Sequence, residues 1–434
     1  MKYKLVQSAI NLIQFGKLTS DRQRTWLYFC ASVLFLTLFP AAGALGLIVV
    51  MGIVWRNRYR EILRSYLNRA LIGLTGILIF SSASAEYPLE AWLGLANFVP
   101  YFALFMALEC LFSEPIQLKQ LSWLLILPSL PIVILGLGQL LFAWDTPSWI
   151  ESILGWEIVP LGVPPGRMSS VFNYTNFLAI YLAIALMLAI GLWLENWQRA
   201  GNFKVQTLLT TILLADISGL ILTSSRNAWG LAIFSLIAYA FYLGWRWLVW
   251  GVVGMAIAIL WASFVPTMGG TQLRRIVPSF IWTRLSDQLH DRPVETLRIT
   301  QWQFCWDLIK DRPIFGWGLR NFSPLYEAKY SLWLGHPHSL FLMFNAEAGT
   351  IALLLLSGIV GSIMFKAVRL LATWCELRSQ LIFFSYLITF TSCILFNLAD
   401  VTIFDLRVNT IIWIILAAIS GITKAQSQTE NSQI

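Results

Sequence analysis

Long apolar runs separated by short polar breaks make up most of this chain. Because the runs are continuous and do not alternate, they predict buried or membrane-crossing helices, not half-buried strands. At about 17 to 25 apolar residues per crossing, about twelve spans are expected, near 26–40, 42–55, 70–85, 91–112, 121–143, 170–194, 207–223, 228–243, 247–265, 339–365, 380–398 and 408–423. The first two are short and divide only around Pro40. One stretch, 266–338, is polar and too long for a simple connection, so it is expected to form a large, partly helical loop. Within it "VETLRITQWQFCWDLIK" (294–310) has helical spacing, with Trp302, Trp306 and Ile309 near one stripe, and "DRPIFGWGLRNF" interrupts it with Pro313, Gly316 and Gly318. The organisation that follows is 1–265 with about nine spans, the loop 266–338, and 339–434 with about three spans and a short tail. No internal repeat or low-complexity segment is apparent.

Composition fixes the environment of these runs. With 434 residues, 58% hydrophobic and 12% charged, the chain has too little polar surface to coat a soluble globule. It reads as an integral membrane protein, and because lipid satisfies no backbone hydrogen bonds, the fold expected is all-α. The net charge of +8 could suggest nucleic acid, but its distribution argues for cytoplasmic loops and against a nucleic-acid partner. Lys2, Lys4, Lys17, Arg22 and Arg24 precede the first span, and "RNRYREILRSYLNR" follows the second. Loops with Lys119, with Arg199 and Lys204, with Arg246, with Lys366, Arg369 and Arg378, and the tail at Lys424 then alternate as inside. Both termini are thus expected to be cytoplasmic, with 266–338 on the outer face. The basic N-terminal 24 residues read as a surface helix and not a cleaved signal. Five cysteines (Cys30, Cys110, Cys305, Cys375 and Cys393) lack CxxC spacing and read as packing residues.

Candidate chemistry is sparse. Three short outer loops each hold one arginine, Arg167, Arg226 and Arg407, against the positive-inside bias, and the large loop adds Arg298 and Arg320. Arginine pairs with phosphate through two charge-assisted hydrogen bonds, so such a set suits a pyrophosphate. In "GHPHSLFLMFNAEAG" (335–349), His336 and His338 stand where a polar region meets an apolar one. A helix from this point would align His338, Leu342, Asn345 and Gly349 in one stripe and put Glu347 on the opposite face. Glu347, Glu109 and Asp216 lie inside apolar runs, where a carboxylate either marks function or locks helices together. No third His or Cys lies near "HPH", so no metal is expected there. "GWGLRN" is not a strand-to-helix turn and does not read as a nucleotide loop. With an ordinary pKa of about 6.5, His338 suits a general base.

These motifs resemble the O-antigen ligase and O-antigen polymerase (Wzy-type) superfamily of bacterial membrane glycosyltransferases. The likeness runs from about Gly166 to Ala348 through "RMSSVFNYTNFLAIYL", "LTSSRNAWGLAI", "LRITQWQFCWDLIKDRPIFGWGLRNF" and "HPHSLFLMFNAEAG". A ligase pattern, His, then Ser, Asn or Gln, then Gly after nine more residues, is met by His338, Ser339 and Gly349. The chain departs from the pattern at Ala352, often Thr, and at Tyr174-Thr175-Asn176, often Asn-Pro-Asn. The resemblance implies a glycan donor on a polyprenyl diphosphate, a lipid or glycan acceptor, surrounding membrane lipids and no cofactor. It implies catalytic roles for an essential His338 and for Arg226 and Arg167, which would hold the diphosphate; Arg298, Asn176, His336 and Arg320 are taken as further, substrate-binding candidates. Some cyanobacterial relatives are described as bicarbonate transporters, so a transporter of a small anion is the alternative, and a non-catalytic assembly protein a third reading.

Overall fold

A computed structural model describes residues 20–286, 293–374 and 377–431. Most of the expected N-terminal surface helix, with Lys2, Lys4 and Lys17, therefore lies outside the described residues, as does Cys375. The other four cysteines are free thiols, and three of them are buried.

The architecture is all-α, with no strand among the described residues. Ten helices among them are long and apolar enough to cross a membrane. The other two expected spans correspond to helices Ser20–Leu36 and Arg226–Tyr242, each of 17 residues. At 1.5 Å per residue these are roughly 25 Å long, a little less than a hydrocarbon core of about 30 Å. The division at Pro40 holds because proline starts the helix Pro40–Arg64, which runs on into the arginine-rich segment as far as Arg64.

Helix Thr175–Gln198 forms the axis of the bundle, with most of its residues buried. It packs against Phe203–Thr223, Leu377–Leu398 and Pro115–Ile126. Its small residues Ala179, Ala183, Ala185 and Ala189, all fully buried, permit close approach of these neighbours.

The polar segment after Phe264 folds onto one end of the bundle. Its main helix is Arg298–Asp311, preceded by a 3-10 turn at Val294–Thr296. The expected stripe is corrected: Gln301, Phe304, Cys305, Leu308 and Ile309 are buried, and Trp306 is exposed. The buried face follows the i, i+3, i+4 spacing from Gln301, because Phe304 packs edge-on against Phe322 and Tyr326 of helix Phe322–Tyr330.

Helix Leu340–Thr373 contains a break. Gly349 has φ 83° and ψ 167°, a backbone region essentially restricted to glycine. A Cβ there would lie 2.1 Å from the Ile314 carbonyl oxygen, so glycine is required twice over. The carbonyls freed by the break are taken up by the polar segment: Trp317 N–H donates to Ala346 (3.0 Å) and Gly318 N–H to Glu347 (2.8 Å). On the far side, Thr350 N–H donates to the Pro313 carbonyl at 2.8 Å.

Candidate active site

The loop carrying Arg167 is fixed from below. Buried Gln139 accepts the backbone N–H groups of Ser169 (3.0 Å) and Ser170 (2.8 Å) through its side-chain oxygen. Met168 N–H donates to the Leu222 carbonyl at 3.0 Å, tying the loop to the end of helix Phe203–Thr223. That helix stops at left-handed Ser224 (φ 51°), Ser225 is extended, and Arg226 opens the next helix. Three arginines meet at this turn. Arg167 Nε donates to the Thr223 carbonyl at 2.8 Å, Arg284 Nε to that of Ser224 at 3.2 Å, and Arg226 Nη1 to that of Leu285 at 3.4 Å.

Burial first, then the charges of Arg284 and Arg226, pull the Arg167 guanidinium down to about 10, against the opposing effects of Tyr174 and Asp400. It is still protonated at neutral pH. Three cations crowded on one turn make a place where a polyanion gains more than a neutral ligand.

A chain of side chains leads from this turn to the histidines. Arg167 Nη2 donates to Asn176 Oδ1 (3.2 Å), and Asn176 Nδ2 donates to Asp400 Oδ2. The other Asp400 oxygen lies 3.4 Å from His338 Nδ1 and accepts the Val401 N–H at 2.9 Å. Burial disfavours the Asp400 charge, but the hydrogen bonds from His338 and the Val401 N–H oppose it, and the carboxyl is held below its ordinary range. An ionised Asp400 favours a proton on His338 Nδ1, which leaves Nε2 as the acceptor.

His338 stands before the helix, not on it. Its φ is 52°, Ser339 is the N-cap, and the helix begins at Leu340. The expected stripe from His338 to Gly349 is therefore corrected: left-handed backbone turns His338 towards Asp400, while Asn345 accepts a hydrogen bond from Thr350 (2.9 Å). His336 sustains that backbone, since its Nδ1 accepts the His338 N–H at 3.2 Å. Burial first, then the adjacent His338, pushes His336 down to about 4, so it is neutral at pH 7. From the polar segment, Trp302 Nε1 donates to the Pro337 carbonyl at 3.0 Å and pins the same turn.

The remaining candidates separate. Arg298 is exposed at the start of its helix, close enough to His336 to disfavour its charge. Arg320 (φ 59°) pairs instead with Glu90 at 3.3 Å. Arg407 is buried and satisfied: it pairs with Asp405 (2.8 Å), donates to the Val171 carbonyl (2.8 Å) and lies over the Phe172 ring. Glu347 is also internal, accepting the Phe322 N–H at 3.1 Å.

Two residues were not legible as site residues, Arg284 and Asp400. Arg284 was one of several cations in a polar loop with nothing to distinguish it. Asp400 carried a weak signal, a lone carboxylate where an apolar run ends. With it, His336, His338 and Asp400 each place one ligand atom within 4.8 Å of the others, a grouping that could hold a metal ion. The expectation of no metal rested on the absence of a third His or Cys nearby; the fold brings in an oxygen ligand from 62 positions away.

An apolar cavity of about 360 Å³ begins beside this group at Leu340 and is lined by Phe98, Phe344, Leu356, Val360 and Trp413.

Residues 209–357 match the O-antigen ligase family model, which supports the likeness to the O-antigen ligase and polymerase superfamily. The match takes in Arg226, Arg284, Arg298, His336 and His338, whereas Arg167, Asn176 and Asp400 lie outside it. No curated protein matches the chain.

Proposed function

We propose that this multi-pass membrane protein uses its O-antigen ligase domain to transfer a glycan from a polyprenyl diphosphate to an acceptor hydroxyl on the outer face of the inner membrane. The observation that carries the reading is the continuous polar chain from Arg167 through Asn176 and Asp400 to His338, with Arg226 and Arg284 at the arginine end. The arginines bind the diphosphate, and His338 Nε2 takes the acceptor proton as the acceptor oxygen attacks the anomeric carbon. The bond from that carbon to the diphosphate breaks with its electron pair on the departing oxygen, and the arginines neutralise the charge that develops there. Attack opposite the leaving group inverts the anomeric carbon. The apolar cavity beside Leu340 takes part of the polyprenyl chain.

Asp400 acts through His338, as a positioning residue. Asp400→Asn removes the charge that sets the tautomer and is expected to lower transfer by about 10²-fold. The protein should remain in the membrane, and the loss should fall on kcat and not on KM for the donor. An Asp400→Asn protein with wild-type kcat would remove Asp400 from the mechanism.

The metal grouping gives a second test. A metal on His338 would compete with its use as a base. Purified protein should therefore keep its activity in EDTA, and added Zn²⁺ should inhibit by occupying His336, His338 and Asp400. Loss of activity in EDTA with recovery on adding a divalent ion would replace the base mechanism by a metal-assisted one.

A further inference from the structure

At the opposite end of the same helices lies a cavity of about 1460 Å³ whose position no step of the transfer uses. Helix Leu340–Thr373 runs from the histidine turn at its start to this cavity, whose wall it joins at Ile363, roughly 35 Å along at 1.5 Å per residue. The cavity wall carries seven cations, Arg58, Arg60, Arg64, Arg69, Lys366, Arg369 and Lys424, against two carboxylates, Glu61 and Glu109.

Those carboxylates are already engaged. Glu61 lies 3.6 Å from Arg58 and 3.7 Å from Lys424. Glu109, buried at the floor, accepts from Ser420 Oγ at 2.7 Å and from Asn68 Nδ2 at 3.3 Å. Arg64, Arg69 and Arg369 make no ion pair among the described residues.

A bias towards positive charge at the cytoplasmic end explains cations at one face, but not their arrangement around a hollow. The seven come from four helices, Pro40–Arg64, Tyr66–Ala83, Leu340–Thr373 and Leu406–Asn431. The backbone bends to present them: Arg58 has non-helical φ −133°, and extended Ser65 reverses the chain between Arg64 and Arg69. The rim is amphipathic, since exposed Phe365, Tyr66 and Tyr59 stand beside the cations at the ends of apolar spans. A soluble anion has no use for that rim, whereas a lipid places its phosphate among arginines and its chains along the aromatic side chains.

We propose that this cavity binds the phosphate headgroup of an anionic phospholipid, at the end of the bundle remote from the arginine and histidine site. Bound there, one lipid bridges the ends of four helices that otherwise repel one another through their charges.

The test uses the full chain purified in detergent, with native mass spectrometry reading retained lipid. The probes are phosphatidylglycerol, phosphatidylcholine and free glycerol phosphate. The triple variant Arg64→Gln, Arg69→Gln, Arg369→Gln is compared with Lys204→Gln, Arg246→Gln, which removes cations elsewhere. Phosphatidylglycerol is expected to be retained by the wild type and by the control, and to bind the triple variant ~10-fold or more weakly. Phosphatidylcholine and glycerol phosphate are expected to bind at least tenfold more weakly than phosphatidylglycerol to the wild type. Equal loss in the control would make the effect general charge and overturn the site. Equal binding of glycerol phosphate would assign the cavity to a soluble phosphate and overturn the lipid. A thermal unfolding curve for each variant separates loss of lipid from loss of fold, and Arg64→Lys, Arg69→Lys, Arg369→Lys should restore binding if charge at those positions is what matters.

Discussion

His338→Ala is expected to lower glycan transfer by roughly 10³- to 10⁴-fold while leaving the amount of protein in the membrane unchanged. The size follows from the role: without a base, the acceptor hydroxyl must attack while still protonated, or lose its proton to water. Folding should survive, because the His338 side chain is 25% exposed and precedes its helix. The measurement is surface glycan on a gel from a deletion strain carrying the variant, together with transfer by purified protein from a lipid-linked donor. Normal glycan in that strain would end the assignment of His338 as base. His336→Ala should differ in kind. It removes the acceptor of the His338 N–H and not the reacting nitrogen, so its loss should be smaller.

Arg167→Ala should cost about 10³-fold in transfer, near the upper end for loss of a single charge-stabilising donor. Arg167 sits where two functions meet. Its Nε holds the Thr223 carbonyl at the turn shared with Arg284 and Arg226, and its Nη2 begins the chain through Asn176 to Asp400. Lysine keeps the charge but cannot reach both partners with one nitrogen, so Arg167→Lys should recover little of the rate. A lysine variant within threefold of wild type would mean that charge alone is used and that the forked geometry is incidental. Size-exclusion profiles of both variants separate this from misfolding.

The sequence made the helices legible because the apolar runs and their breaks are local. Proline at position 40 starts a helix, and glycine and proline at 313–318 end one. Arg167, Arg226 and His338 were legible because each is a polar residue at the end of an apolar run, which is unusual in itself. What was not legible depends on tertiary contact. Asp400 becomes meaningful only when the loop before Leu406–Asn431 meets the turn before Leu340, a meeting sealed by the Leu340 N–H on the Asp400 carbonyl (3.2 Å). Arg284 needed the packing of Ser279–Ser286 against the Ser224 turn. The stripes drawn through His338 and through Trp302 failed for a related reason. Periodicity assumes that a helix has begun, and it does not say which side of the helix its neighbours cover.

The break at Gly349 has a mechanical meaning. It divides helix Leu340–Thr373 into a long post within the bundle and a short arm, 340–348, that follows directly after His338. The arm is braced by Trp317 and Gly318 of the polar segment, and Trp302 of the same segment holds the turn at its tip. His338 and the braces thus belong to one unit, while Arg167 and Arg226 are mounted on other parts of the bundle, so the spacing between His338 and the arginines depends on how the polar segment holds the arm.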